Sequence, residues 1–157
     1  MVNNNLDACV FTSYQNILYY SGHLYYYFGR DYGCVVTHDN VCLISALVDG
    51  GNPWRRCYGD NLVYTDWHKG NYFHAVQQLL ADKSANRIGL EFDHVSLDNH
   101  RKFAEVLPGS EFVDIGEMVM RTRVVKSSAE QEVTRQGARI ADIGGAAVVE
   151  ALYEGTL

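Results

Sequence analysis

The chain has 157 residues, of which 47% are apolar, enough for one domain with a real core. Its net charge is −6 and its arginines are scattered rather than gathered on one stripe, which argues against a nucleic-acid partner. No run approaches the roughly 18 consecutive apolar residues of a membrane span, and the opening Met-Val-Asn-Asn-Asn lacks the basic and apolar regions of a secretory signal.

Apolar runs of strand length recur between turn signals, and they predict strands over Leu6–Phe11, Gly33–Thr37, Val41–Val48, Asn61–Tyr64, Arg87–Phe92 and Glu111–Val113. His38-Asp39-Asn40 joins the second and third as a hairpin. Val41–Val48 is apolar at nearly every position, as a strand covered on both faces requires. Ile88, Leu90 and Phe92 alternate with Gly89, Glu91 and Asp93, which predicts one buried face. Three of the four cysteines, Cys9, Cys34 and Cys42, sit inside apolar runs; Cys57 does not, and no Cys-x-x-Cys spacing occurs. Free core thiols in a reducing cytoplasm are therefore expected, not a disulfide framework.

Helical patterns lie between these strands. Tyr72, Phe73, Val76, Leu79 and Leu80 follow the rhythm of an amphipathic helix. A second helix is expected from Asp98 to about Val106, stopping before Pro108-Gly109, and a third near Asp114 with Ile115, Met118 and Val119 on one side. Strands alternating with helices imply a three-layer α/β domain with a mixed sheet. Ser127-x-x-Glu130 is a capping box that opens a last helix, with Val133, Ile140 and Ile143 on its buried side; Gly144-Gly145 should weaken it before Ala146–Tyr153 resumes it. The domain boundary is expected near Val125-Lys126, giving residues 1–125 and a tail of 126–157. Left alone, that tail would expose its apolar stripe, so the chain reads as a piece of a longer protein.

Few residues have the spacing of catalytic machinery. No nucleophile elbow, phosphate-cradling loop or dinucleotide fingerprint is present, and no histidines or carboxylates cluster at metal-ligand spacing. His23 lies near Arg30 and is a candidate pocket residue, whereas His68, His74, His94 and His100 read as surface residues. Trp54-Arg55-Arg56 combines a ring with two cations that either bind an anion or pair locally. Leu24-Tyr25-Tyr26-Tyr27-Phe28-Gly29-Arg30 places one planar guanidinium, matched to a carboxylate, beside a cluster of rings.

That loop belongs to a longer pattern. Phe11-Thr12-Ser13-Tyr14-Gln15-Asn16-Ile17, Phe28-Gly29-Arg30, Asp49-Gly50-Gly51-Asn52-Pro53-Trp54-Arg55-Arg56, Val63-Tyr64-Thr65-Asp66-Trp67 and the run from Gly137 to Leu152 follow one another in an order that resembles the creatinase, prolidase and aminopeptidase P family, its creatinase branch above all. The resemblance implies an amino-terminal domain with a mixed sheet, followed by the start of a "pita-bread" catalytic domain. It implies a homodimer acting on creatine or a similar guanidino substrate, with no metal or other cofactor. Phe28 and Arg30 would enter the partner's active site, Arg30 on the substrate carboxylate and Phe28 against its guanidino and methyl groups. No catalytic residue is expected in this chain. A metallopeptidase of the same family and a stand-alone carboxylate-binding module are the alternatives.

Overall fold

The computed structural model describes residues 1, 4–26, 29–51, 56–65, 67–68, 70–81 and 85–152. In chain order the elements are β1 (Ala8–Phe11), α1 (Tyr14–Ser21), β2 (Gly33–Thr37), β3 (Val41–Ala46), a single 3-10 turn (Leu47–Asp49), β4 (Asp60–Tyr64), α2 (Asn71–Leu80), β5 (Arg87–Leu90), α3 (Leu97–Val106), β6 (Glu111–Asp114), α4 (Gly116–Val124) and α5 (Ser128–Ala151). The chain divides into two compact units, residues 1–119 and 120–157.

The first unit is built on a six-stranded sheet in the order β4-β3-β2-β1-β5-β6. β2 is antiparallel to both β1 and β3, and the remaining pairs, β3–β4, β1–β5 and β5–β6, are parallel. The sheet is therefore mixed, as the alternation of strands and helices implies, and five of its strands end on the same edge. Helices cover both faces. Phe11 lies opposite Cys34 in the β1–β2 register and stacks on Tyr20 of α1 at 4.2 Å. Gly33, the next residue along β2, points the other way, and there a Cβ would collide with the Tyr72 hydroxyl of α2. α1 and α2 thus lie on opposite faces, and α3 joins α2 through the Phe73–Phe103 ring contact at 5.0 Å.

Burial follows from this double cover. Val10, Ile17, Leu43, Ile44, Ile88 and Leu90 are completely enclosed. Cys9, Cys34 and Cys42 are buried free thiols, and burial pushes their pKa values up to about 11, about 12 and about 11. They act as small core residues, not as nucleophiles.

Three points of the first unit depart from the sequence reading. That reading places no helix between β1 and β2, yet α1 forms there. Ser13 caps its start, accepting from the Asn16 amide, and Gly22 ends it at φ 73°, a left-handed conformation that glycine adopts at no steric cost. Second, β5 does not alternate: Ile88, Gly89 and Leu90 are all buried because parallel neighbours and helices cover both its faces, and Glu91 beyond it is buried while Phe92 is exposed. Third, β3 stops at Ala46, leaving Leu47 and Val48 exposed on the 3-10 turn.

In the second unit α5 is one continuous helix. The capping box is complete, with the Ser127 hydroxyl accepting from the Glu130 amide and the Glu130 carboxylate accepting from the Ser127 amide. The helix runs through Gly144-Gly145 without the expected break, since each glycine costs only about 1 kcal/mol and neither removes a backbone hydrogen bond. It buries no described residue, so Val133, Ile140 and Ile143 form the exposed apolar stripe expected of the tail left alone.

Candidate functional site

The sheet topology itself singles out one place. β1 sends its chain to α1 on one face, and its parallel neighbour β5 sends its chain to α3 on the other. Such a switch point opens a crevice at the carboxyl edge of the sheet. A cavity of about 340 Å3 occupies it. Thr12 contributes from the end of β1, and His94, Val95, Ser96 and Asn99 contribute from the β5–α3 connection and the first turn of α3. Tyr25, Asp31 and Tyr32 enter from the segment between α1 and β2, while Tyr72 and Phe103 close the side toward α2 and α3.

One wall of the crevice is held by Glu91, whose carboxylate is 2% exposed. It accepts from the backbone amides of Thr12 and Ser13, from the Ser13 hydroxyl and from the Asn16 side-chain amide. These donors include the amide of Ser13, the cap of α1, which has no partner within the helix. A buried carboxylate so surrounded is satisfied, and it ties the β1–α1 junction to the end of β5. Thr12 extends the junction outward, its hydroxyl 2.9 Å from His94 Nδ1.

The opposite wall is aromatic. Tyr25 stacks on Tyr32 at 4.1 Å, touches Tyr14 at 5.3 Å and lies parallel to His23 at 5.9 Å. The Tyr32 hydroxyl donates to Asp49, and the Tyr64 hydroxyl donates to the Asp31 carbonyl at 2.9 Å. The chain is thereby clamped at Asp31 and Tyr32, where it enters β2, with Tyr26 and Arg30 exposed ahead of the clamps and Gly29 at φ 73°.

Several polar groups here lack partners. The Tyr72 hydroxyl and both ring nitrogens of His23 are buried without a hydrogen bond among the described residues. Burial holds the His23 pKa below its ordinary value, Asp49 opposing and Arg56 reinforcing the shift. Burial pushes Tyr72 well up, and it raises Asp31 against the pull of Lys102.

Of the residues singled out from the sequence, Arg30 is exposed next to the clamped Asp31, His23 is buried beside Tyr25 and Arg56 is exposed. Phe28, Trp54 and Arg55 lie outside the described residues. His68 and His74 are exposed, as their sequence positions imply. His94, read from sequence as an ordinary surface residue, is exposed but lines the cavity. Glu91, Asp31 and Tyr72 carry no local signal of a site, because their neighbours in space come from distant parts of the chain.

Residues 1–125 match the family model of the creatinase/prolidase N-terminal domain. The chain is 48% identical to a creatinase of Bacillus sp. (strain B-0618), the match covering 99% of this chain and 38% of that protein. It therefore spans about two fifths of that relative's length. Among solved structures, the X-Pro aminopeptidase of Thermotoga maritima superposes with a TM-score of 0.75 at 20% identity, over 96% of this chain and 42% of its own. A proline dipeptidase of Streptococcus pneumoniae superposes with a TM-score of 0.71 at 20% identity, over 80% of this chain and 92% of its own. Both share the fold.

Proposed function

The chain belongs to the creatinase/prolidase amino-terminal-domain family, and from that membership we propose that it is the substrate-capping part of a creatinase-like amidinohydrolase. The observation that carries this reading is the 48% identity to a creatinase across nearly the whole chain. In this reading the complete enzyme adds water across the amidine C–N bond of creatine. The water oxygen goes to the amidine carbon, giving urea, and the released nitrogen takes a proton, giving sarcosine. The groups that move those protons belong to a catalytic domain that begins near Lys126, at the non-helical step between α4 and α5.

This chain's part is recognition. Arg30, exposed next to the clamped Asp31, grips the substrate carboxylate in the partner subunit's active site, and Phe28 walls in its guanidino and methyl groups. The clamps support that role, because a guanidinium fork earns specificity only when its approach is fixed. The buried free thiols support a cytoplasmic setting.

The test joins this chain to the catalytic part of the Bacillus creatinase and measures creatine turnover. Arg30→Ala should weaken creatine recognition by about 2–4 kcal/mol, the loss of one partner from a desolvated charge pair, and Arg30→Lys should recover only part of it. A wild-type KM and kcat in the alanine variant would make Arg30 a surface residue and end this reading. This chain without that catalytic part should release no urea from creatine. Because the similar solved structures are peptidases, an X-Pro dipeptide is assayed alongside; its turnover in place of creatine would favour the peptidase reading.

A further inference from the structure

The switch-point cavity is walled by groups that ask for a particular kind of occupant. Tyr25, Tyr32 and Phe103 present aromatic rings. Asp31 presents a carboxylate; its backbone carbonyl accepts from Tyr64, but its side chain has no hydrogen-bonded partner among the described residues. Tyr72, 2% exposed, adds a hydroxyl that is likewise unpartnered. Burying the Tyr72 hydroxyl and half-burying the Asp31 carboxylate without hydrogen-bonded partners costs stability, and a fold keeps such groups where something else completes them.

From this geometry we propose that the cavity is a binding site for a small organic cation of the alkylammonium or guanidinium class. Its N–H groups donate to the Asp31 carboxylate and to the Tyr72 oxygen, and its face rests on the Tyr25 and Tyr32 rings. The charge logic favours a cation. No lysine or arginine is among the described residues that line the cavity, so an anion would meet Asp31 with nothing to offset it. Lys102, which pulls on Asp31 from a distance, is already paired with Asp98 at 2.7 Å and lies 5.4 Å from the Phe73 ring centre. Rings beside a carboxylate are a cation's preferred surroundings, because the ring face and the anion attract it together. The raised pKa of Asp31 fits a carboxylate waiting for a counter-charge. Arg30 has no part in this site, since its proposed partner is an anion held elsewhere.

The test is a calorimetric titration of the full chain with methylguanidinium and with methylammonium chloride, against sodium chloride at matched ionic strength. Saturable one-to-one binding of at least one of the two is expected, and the better of them identifies the class. Asp31→Asn should raise its dissociation constant roughly tenfold or more, the scale of a lost charge-assisted pair. Tyr72→Phe should raise it several-fold while the variant stays folded by circular dichroism, and Arg30→Ala should leave it unchanged. Failure of both cations to saturate, binding that survives Asp31→Asn intact, or binding that Arg30→Ala abolishes would each overturn the proposal. The last two results leave the creatine assay on the joined enzyme untouched, so the two readings fail separately.

Discussion

Two buried polar regions adjoin at the carboxyl edge of the sheet, and they are finished differently. Around Glu91 both carboxylate oxygens have donors, two from backbone amides and two from side chains. Around Asp31, Tyr72 and His23 hydroxyl, carboxylate and imidazole sit beside rings with no hydrogen-bonded partner among the described residues. Glu91, Tyr72 and His23 are all buried and Asp31 is half-buried, so burial alone does not separate architecture from function. What separates them is satisfaction of the charged group: both Glu91 oxygens are met, and Asn16 Oδ1 is the one buried side-chain atom of that network without a partner among the described residues. A completed polar network defines one backbone path, whereas an incomplete one lowers stability and leaves room for a partner.

The sharpest way to break this comparison is to remove Glu91. Glu91→Ala strands the amides of Thr12 and Ser13 and the side chains of Ser13 and Asn16 in a dry site, and it should cost about 3–5 kcal/mol, as breaking a buried charged network does. Glu91→Gln should cost less but still destabilise, because an amide nitrogen cannot accept where a carboxylate oxygen did. Urea denaturation of the full chain measures both. A loss below about 1 kcal/mol for the alanine variant would mean that water replaces the carboxylate, and the junction would not be the architectural anchor described.

The sheet was legible in the sequence because its strands announce themselves locally. Gly33–Thr37 and the His38-Asp39-Asn40 hairpin need only neighbouring residues to be recognised, and so does the amphipathic rhythm of α2. α1 escaped because its tyrosines blur the apolar period, although Ser13 and Gly22 mark its two ends. Glu91 escaped for a different reason. Apolar alternation through β5 makes it look solvated, and only the parallel pairing with β1 brings 78 residues of separation down to a hydrogen bond with Ser13. The cavity is non-local in the same way, with Thr12 meeting His94 across 82 residues. Arg30 stood out as a motif, while the clamps that fix it, Tyr32 to Asp49 and Tyr64 to Asp31, are tertiary.

The incomplete region predicts effects of opposite sign. Tyr72→Phe keeps the ring contacts with Phe73 at 5.1 Å and Phe103 at 6.2 Å and removes only the unpartnered hydroxyl. It should stabilise the ligand-free chain by up to about 1 kcal/mol. Tyr64→Phe is the control: its hydroxyl holds the Asp31 carbonyl, so the same atom deletion should cost about 0.5–1.5 kcal/mol. Equal effects from the two variants would erase the distinction between a used and an unused hydroxyl.

The smallest effect is also the most diagnostic, because it has a sign that changes between two aspartates. Asp31 is raised by burial, so its folded form holds a proton more tightly than the unfolded chain does. Below the ordinary carboxylate range both states are protonated and no penalty exists; as pH rises through the raised folded value, the charge must be buried and stability is lost. Asp31→Asn should therefore stabilise the chain at neutral pH, and the gain should fade on acidification. Asp7 is the mirror case. Its carboxylate accepts from the backbone amides of Arg87 and Asn86, both at 2.9 Å, which hold its pKa below the ordinary value. Its contribution is present above the ordinary value and is lost as pH falls through the depressed one. Asp7→Asn should accordingly destabilise at neutral pH, with that loss also fading in acid. Thermal melts of the wild type and both variants across the acid range read the two differences directly. If Asp31→Asn destabilised at neutral pH as Asp7→Asn does, Asp31 would already have its partner within the fold, and the cavity would be a finished part of the architecture rather than a site awaiting a ligand.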